Sequence, residues 1–151
     1  VFPRRIVTRQ SNPWEDHDTV SPEQFEAGLR FGLYPLHWDA HGLRYGLPVS
    51  IVTDVAAGRT VVANVSRHVV PVARELFAHV AVAYVTAPPD VLAARISGRG
   101  REAAPTARLD RAAPGPSDCD ADLVIENVGE PLASARLLAG LIGVSSRVSS
   151  H

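Results

Sequence analysis

Three short runs of apolar, mostly β-branched residues constrain the fold of this 151-residue chain more than any other feature. They occupy residues 60–65, 80–86 and 122–128. Both faces of each run are apolar, which is typical of strands in a sheet that is covered on both sides. Helical patterns lie between and after the runs, and this alternation favours a parallel sheet. The sequence therefore predicts an α/β domain.

Proline and glycine mark the helices that accompany these strands. Residues 69–77 can be helical only if Pro71 lies in the first turn, because an interior proline removes a backbone hydrogen bond. A helix over 130–142 begins near Pro131 and is predicted to end at Gly143. The remaining residues, 145–151, are predicted to form a disordered tail.

The first half of the chain predicts a small α+β insertion over residues 10–58, which follows a strand at 4–9. Ser21 is the expected N-cap of a helix that starts with Pro22, and Gln24 is placed to reach back to the cap. The helix is predicted to run to about Arg30. A strand pair (34–38 and 43–45) and a further helix (49–57) follow.

The segment 36–46, LHWDAHGLRYG, carries a dense set of functional groups. Gly42 and Gly46 bracket Arg44 and Tyr45, so a cation and a hydroxyl-bearing ring are predicted to lie on a tight turn. This combination suits a phosphate or a sugar phosphate. The alternative is a hairpin with an aromatic ring packed over it.

Arginines cluster in two places, and the fork of donors on each suits bidentate contact with phosphate oxygens. Taken alone, either cluster is more typical of a solvated charged surface. Two clusters flanking one cleft indicate a polyanionic ligand. The first cluster is Arg4, Arg5 and Arg9; the second is Arg95, Arg99, Arg101, Arg108 and Arg111.

Two polar groups of residues are further candidates for ligand contacts. Asn64 and Ser66 follow the first apolar run, and ligands of parallel sheets bind at the carboxyl ends of strands. Glu15 and His17 belong to an acidic run that could contact sugar hydroxyls or a metal. The alternatives are satisfied turn residues in the first case and a solvated loop in the second.

Composition excludes several classes of protein. The net charge is −1, so nothing favours nucleic acid or a membrane surface as a partner. No segment has the length and apolar character of a membrane span or a signal peptide, and the single cysteine, Cys119, precludes an internal disulfide. These features predict a cytoplasmic protein. His37 and His41 lie in a strand–turn segment, where their spacing does not bring both side chains to one metal ion, so no metal site is predicted. The sequence leaves open whether the protein forms a homodimer.

Several of these segments together identify a family resemblance. RRIVTR, SPEQF, WDAHGLRYG, NVSR and GRGRE resemble sequences of the guanylate-kinase-like branch of the P-loop kinases, and more closely those of the ribose 1,5-bisphosphokinases of bacterial phosphonate breakdown. The resemblance spans residues 4 to about 142. It implies one domain over 1–144, a parallel sheet with helices on both faces, a core formed by 59–94 and 117–144, and an arginine-rich lid at 95–116.

Differences from guanylate kinases indicate the acceptor. The two positions at which those enzymes read guanine with acidic residues are Leu36 and Ser66 here. Arg9 and Tyr45 match positions that contact phosphate, although Asn12 replaces a second arginine of the guanylate kinases. A site with phosphate contacts and no base contacts fits a sugar phosphate better than a nucleotide.

The resemblance implies transfer of the γ-phosphoryl group of ATP, with Mg²⁺, to ribose 1,5-bisphosphate, giving ADP and 5-phosphoribosyl 1-diphosphate. Arg9 and Tyr45 would hold the acceptor phosphate. The implied sugar contacts are Glu15, His17, Asn64, Ser66 and Arg67. The implied catalytic and ATP-binding residues are Arg95, Arg99, Arg101 and Arg108.

One family motif is absent from the sequence. The Gly-x-x-x-x-Gly-Lys-Ser/Thr loop that cradles ATP phosphates does not occur, and the chain has no lysine and no methionine. We therefore expect the chain to be an N-terminally truncated form that has negligible kinase activity by itself. A nucleoside-monophosphate kinase and a non-catalytic guanylate-kinase-like binding module stay open as alternatives.

Overall fold

The computed structural model describes residues 1–10, 16–91 and 120–148. The chain divides into two compact units, Val1–Val80 and Ala81–His151. Several predicted features lie outside the described residues: Glu15, Asn12, residues 92–97 of the helical pattern (90–97) that follows the second apolar run, the lid arginines Arg95, Arg99, Arg101 and Arg108, and the end of the tail.

The first unit is built on a four-stranded mixed sheet. Its strands are β1 (Arg5–Val7), β2 (His17–Thr19), β3 (Leu36–Ala40) and β4 (Leu43–Leu47), in the spatial order β2-β1-β4-β3. β1 pairs in parallel with β2 and antiparallel with β4, and β3 and β4 form a hairpin. The central position of β1 brings residues from the start of the chain between the hairpin and β2.

Three helices complete this unit: α1 (Pro22–Arg30), α2 (Ser50–Ala56) and α3 (Val70–Leu76). α1 begins as predicted with a capping box. The Ser21 backbone N–H donates to the Gln24 Oε1 at 2.8 Å, and the Gln24 N–H donates to the Ser21 Oγ at 3.1 Å. α3 holds Pro71 in its first turn, which confirms the sequence prediction, and a 3₁₀ turn at Arg67–Val69 precedes it.

The β3–β4 hairpin turns through two residues in the left-handed region, His41 (φ 54°) and Gly42 (φ 72°). Gly42 adopts this conformation at no steric cost, as two-residue hairpin turns require. Gly46 lies within β4 instead of at a turn. A Cβ added there would meet the Tyr34 ring, with Cγ at 3.0 Å. The second glycine of the segment therefore allows close packing of an aromatic ring.

The hydrophobic core of the first unit joins one face of the hairpin to α2 and α3. Its buried members are Leu36, Leu47, Ile51, Val69 and Ala73, and Trp38, Val61, Val65, Phe77 and Val80 pack around them. Successive side chains of a strand point to opposite faces of the sheet, so Leu36 and Trp38, two residues apart on β3, share this face. The core thus anchors the strand that carries Trp38.

The second unit contains the parallel pair β5 (Ala83–Thr86) and β6 (Leu123–Glu126), paired from Ala83 with Leu123 to Thr86 with Glu126. It also contains the helix α4 (Pro131–Val148). None of the helices in the described ranges has the length and hydropathy needed to span a bilayer.

Two sequence predictions are wrong in detail. Residues 60–65 form no strand. The Val62 N–H donates to the Val1 carbonyl at 2.8 Å and the Val1 nitrogen donates to the Thr60 carbonyl, but hydrogen bonds to one residue do not make a ladder. α4 continues past Gly143 to Val148, so residues 145–148 are helical instead of part of a disordered tail. A single glycine costs a helix only about 1 kcal/mol relative to alanine, and no proline follows it.

Candidate functional site

The backbone that carries Arg9 is held by two side chains of β2. The His17 Nε2 and the Thr19 hydroxyl each donate a hydrogen bond to the Arg9 carbonyl, both at 3.0 Å. A carbonyl oxygen only accepts, so the proton of a neutral His17 ring lies on Nε2 and its Nδ1 is left as an acceptor. The predicted phosphate-binding arginine therefore leaves β1 at a point fixed by its neighbouring strand.

His17 is buried, with 2% of its surface exposed. Its Nδ1 is closed off from solvent and makes no hydrogen bond to any described residue. The sequence predicts a direct contact between His17 and the sugar. The structure supports a different role for His17, in which its hydrogen bond to the Arg9 carbonyl fixes the position of Arg9.

Tyr45 lies beside β1, since its cross-strand partner is Val7. The Tyr45 ring stacks on the Trp38 indole, with centroids 5.4 Å apart and planes 5° from parallel. The Arg5 guanidinium carbon lies 5.8 Å from the centroid of the same Tyr45 ring. None of the described residues hydrogen-bonds the Tyr45 hydroxyl, so this group is available to a ligand.

Arg44 is not available to a phosphate in this way. It pairs with Glu26 of α1, its Nε lies 3.6 Å from an Asp39 carboxylate oxygen, and its guanidinium lies over the Phe25 ring. The hydrogen bond that the Arg44 guanidinium donates to the Glu26 carboxylate raises the pKa of Arg44. Of the two groups that the sequence places on the hairpin, only Tyr45 is therefore left to contact a ligand.

Two carboxylates of the acidic run form ion pairs with Arg4. The Arg4 Nη2 lies 2.9 Å from an Asp16 oxygen and its Nε lies 3.0 Å from an Asp18 oxygen. Arg4 also donates to the His17 carbonyl at 3.2 Å. Across the ranges that the structure describes, no group of three or more histidine, cysteine or acidic side chains is arranged to hold a metal ion.

The residues after position 63 approach the hairpin through the 3₁₀ turn, which packs against β3. Val65 packs into the core, whereas Asn64 is exposed and Ser66 is half-buried. Ser66 occupies the N-cap position, but its side chain makes no capping bond. None of the described residues hydrogen-bonds its hydroxyl, which is therefore available to a ligand. Arg67 begins the turn and is half-buried.

A cleft of about 330 Å³ lies between β3 and the 3₁₀ turn. Its lining residues are Pro35, His37, Trp38, Asp39, His68, Val69 and Val72. Trp38 belongs both to this cleft and to the stack with Tyr45, so its indole links the 64–69 segment to the phosphate-binding candidates.

In the first unit Arg9 thus follows β1, the strand that lies between β2 with His17 and β4 with Tyr45. Sequence reasoning missed Trp38 and Thr19 as their supports. The register of a hairpin with a two-residue turn could have indicated that Trp38 contacts Tyr45, because it makes the two residues cross-strand partners. Thr19 depends on the parallel pairing of β2 with β1, which no local pattern indicates.

Comparison with known proteins places these residues in context. The chain is 44% identical over 144 residues to the ribose 1,5-bisphosphate phosphokinase PhnN of Bradyrhizobium diazoefficiens, covering 94% of this chain and 72% of that protein. The proteins of the same name from Rhodopseudomonas palustris and Acidiphilium cryptum are each 46% identical over 94% of this chain, covering 72% and 75% of their own lengths. No protein-family model matches the chain.

Among solved structures, a guanylate kinase from Anaplasma phagocytophilum superposes with a TM-score of 0.73 at 23% identity. The match covers 96% of this chain and 76% of that one. At this identity the likeness concerns the fold alone, and it confirms the predicted α/β, guanylate-kinase-like class.

Proposed function

Since the chain belongs to the ribose 1,5-bisphosphate phosphokinase family, we propose that it acts in the transfer of the ATP γ-phosphoryl group to ribose 1,5-bisphosphate. A terminal phosphate oxygen of the acceptor attacks the γ-phosphorus, the bond to the ADP oxygen breaks, and 5-phosphoribosyl 1-diphosphate forms. We place this reaction in the cytoplasm, in phosphonate catabolism.

The observation that carries the proposal is the position of Tyr45 beside β1, the strand that Arg9 follows. His17 and Thr19 bind the Arg9 carbonyl, and the Tyr45 hydroxyl has no partner among the described residues. A guanidinium and a phenol on adjoining segments suit the oxygens of one phosphate group. We assign this pair to the acceptor phosphate.

The burial of Leu36 supports a sugar over a nucleobase. Leu36 is 5% exposed and belongs to the hydrophobic core, and Ser66 stands at the other position where guanylate kinases carry an acidic residue. A buried aliphatic side chain offers no hydrogen bond to a guanine edge. Asn64, Ser66 and Arg67 are left to contact sugar hydroxyls, together with Glu15.

The assignment of Arg95, Arg99, Arg101 and Arg108 to the ATP phosphates stays a proposal that rests on the resemblance. The described residues offer no ready-made Mg²⁺ site, and in phosphoryl transfer the nucleotide's own phosphates supply several of its ligands. The 151 residues contain neither a lysine nor a Gly-x-x-x-x-Gly-Lys-Ser/Thr sequence. We therefore expect this polypeptide to bind the acceptor but to turn it over at a negligible rate.

Calorimetric titration with ribose 1,5-bisphosphate and with GMP tests the acceptor assignment. We expect the sugar bisphosphate to bind at least about 10-fold more tightly, the difference that one buried polar group of the base left unpaired would produce. Tighter binding of GMP would contradict the proposal and favour a guanylate-type kinase.

A further inference from the structure

We propose that Arg5 binds the second phosphate group of a doubly phosphorylated sugar and so determines the preference for a bisphosphate over a monophosphate. This inference rests on the proposed function and deepens it, since Arg9 and Tyr45 account for only one of the two phosphates. It names Arg5 as a specificity-determining residue.

Arg4 and Arg5 differ in whether a carboxylate of the described residues pairs with them. Arg4 is exposed, and Asp16 and Asp18 neutralise it at 2.9 and 3.0 Å. Arg5 is half-buried, and no carboxylate of the described residues lies within ion-pair distance of it. A guanidinium that is partly removed from water without an anion loses solvation that an anionic ligand would replace.

The sheet register places Arg5 on the same face as Tyr45. Side chains two apart on a strand share a face, so Arg5 projects beside Val7, whose cross-strand partner is Tyr45. On the other side of β1, the partner of Arg5 in the parallel ladder is His17. Arg5 therefore lies between the residue that positions Arg9 and the ring that carries the free hydroxyl.

The spacing along β1 suits two phosphates at opposite ends of one sugar. Arg5 and Val7 are separated by about 6.6 Å, two residues of an extended strand. Tyr45 lies level with Val7, and Arg9 follows two residues later. A ligand phosphate at Arg9 and Tyr45 thus leaves the Arg5 guanidinium, whose carbon is 5.8 Å from the Tyr45 ring centroid, for the other phosphate.

The contact between Arg5 and the Tyr45 ring also suggests a purely structural role. A cation–π contact at a partly exposed site contributes about 0.5–1 kcal/mol, and its loss would weaken the binding of every ligand that Tyr45 touches. A phosphate-binding role acts on the second phosphate alone. The two roles therefore differ in their effect on the ratio of bisphosphate to monophosphate affinity.

The test is calorimetric titration of wild type and Arg5→Gln with ribose 1,5-bisphosphate, ribose 1-phosphate and ribose 5-phosphate. For each protein, the affinity for the bisphosphate is divided by the affinity for the tighter-binding monophosphate. We expect a ratio of at least about 10 in wild type, as one charge-assisted phosphate contact provides, and a ratio near 1 in the variant.

Arg4→Gln is the matched control, because it removes one positive charge from the adjacent residue and leaves Arg5 in place. Its ratio should equal that of wild type. Arg5→Met, which keeps an aliphatic stem against Tyr45, replaces Arg5→Gln if thermal unfolding shows that the glutamine variant does not fold. The same fall in ratio is expected.

An unchanged ratio in the folded Arg5 variant would overturn the Arg5 assignment and leave the proposed function standing. An equal fall in the ratio for Arg4→Gln would also overturn it, because the effect would then be one of general charge. If wild type bound none of the three sugar phosphates, the proposed function would fail and this inference with it.

Discussion

The Nε2 of His17 lies 3.0 Å from the carbonyl oxygen of Arg9 and donates a hydrogen bond to it. The bond joins a side chain of β2 to the residue that follows β1, and the Thr19 hydroxyl supports the same oxygen. His17 is 2% exposed, so this hydrogen bond is shielded from bulk solvent. The position of the Arg9 backbone thus depends on a buried imidazole.

The first prediction concerns His17 itself. His17→Leu removes the donor to the Arg9 carbonyl and should weaken ribose 1,5-bisphosphate binding about 10-fold, since a buried hydrogen bond costs about 1–3 kcal/mol when one partner is lost. His17→Gln places an amide N–H where Nε2 was and should recover most of the affinity. Calorimetric dissociation constants for the two folded variants check this. Equal weakening by leucine and glutamine would contradict the positioning role.

The second prediction separates the Tyr45 hydroxyl from its ring. Tyr45→Phe keeps the stack on Trp38 and should leave the free energy of unfolding within about 0.5 kcal/mol of wild type. It should weaken acceptor binding roughly 10-fold, because a hydrogen bond to a charged phosphate contributes about 1.5–3 kcal/mol. Wild-type affinity in this variant would exclude the hydroxyl from the site.

Trp38→Leu is the complementary variant for the same stack. It removes the indole that lies parallel to the Tyr45 ring and packs on the core. Urea unfolding should show a loss of stability of at least about 1 kcal/mol, from the aromatic pair and the packing together.

The third prediction concerns a glycine in α1. A Cβ at Gly28 would lie 2.6 Å from the Tyr34 hydroxyl oxygen, and the Tyr34 ring is held by its stack on Phe25 at 4.7 Å. Gly28→Ala should therefore destabilise the protein by about 1–3 kcal/mol through overpacking. Differential scanning calorimetry checks it as a fall in Tm.

Gly140→Ala in α4 is the control, because this helical glycine has no atom within 4 Å of the added Cβ. It should be neutral or stabilise the protein by up to about 1 kcal/mol, as expected from helix propensity alone. A stabilising Gly28→Ala would show that Tyr34 moves freely.

The fourth prediction is a pH dependence at the start of α1. A hydrogen bond from the Ser21 side chain lowers the pKa of Glu23 below its usual value. A carboxylate with a lowered pKa in the folded state stabilises the protein above its unfolded pKa and loses that contribution as the pH falls through the folded pKa. The Tm difference between wild type and Glu23→Gln should thus be largest near pH 7 and vanish near pH 2. A difference that stays constant with pH would contradict it.

Local features of the fold are the ones that the sequence predicts well. The capping box needs only Ser21 and Gln24 at their fixed spacing, and the Pro71 position follows from the missing N–H of proline. Residues 60–65 have the composition of a strand, but a strand also needs paired neighbours, and composition does not supply them.

The candidate site is less predictable because its electrostatics depend on tertiary partners. Arg44 and Tyr45 are adjacent in sequence, yet Glu26 and Asp39 engage the first while the hydroxyl of the second has no partner among the described residues. Arg4 and Arg5 differ in the same way. The assignments of Glu15 and of the four lid arginines stay predictions.

The measurement that tests the central claim most directly is a two-dimensional ¹⁵N–¹H NMR titration with ribose 1,5-bisphosphate. If Arg9 and Tyr45 hold the acceptor phosphate, the largest amide shifts will fall at the end of β1, through Arg9, and in β4 around Tyr45, and they will disappear in Arg9→Ala. The largest shifts at His37 and His68 in the neighbouring cleft, or unchanged shifts in Arg9→Ala, would contradict the account.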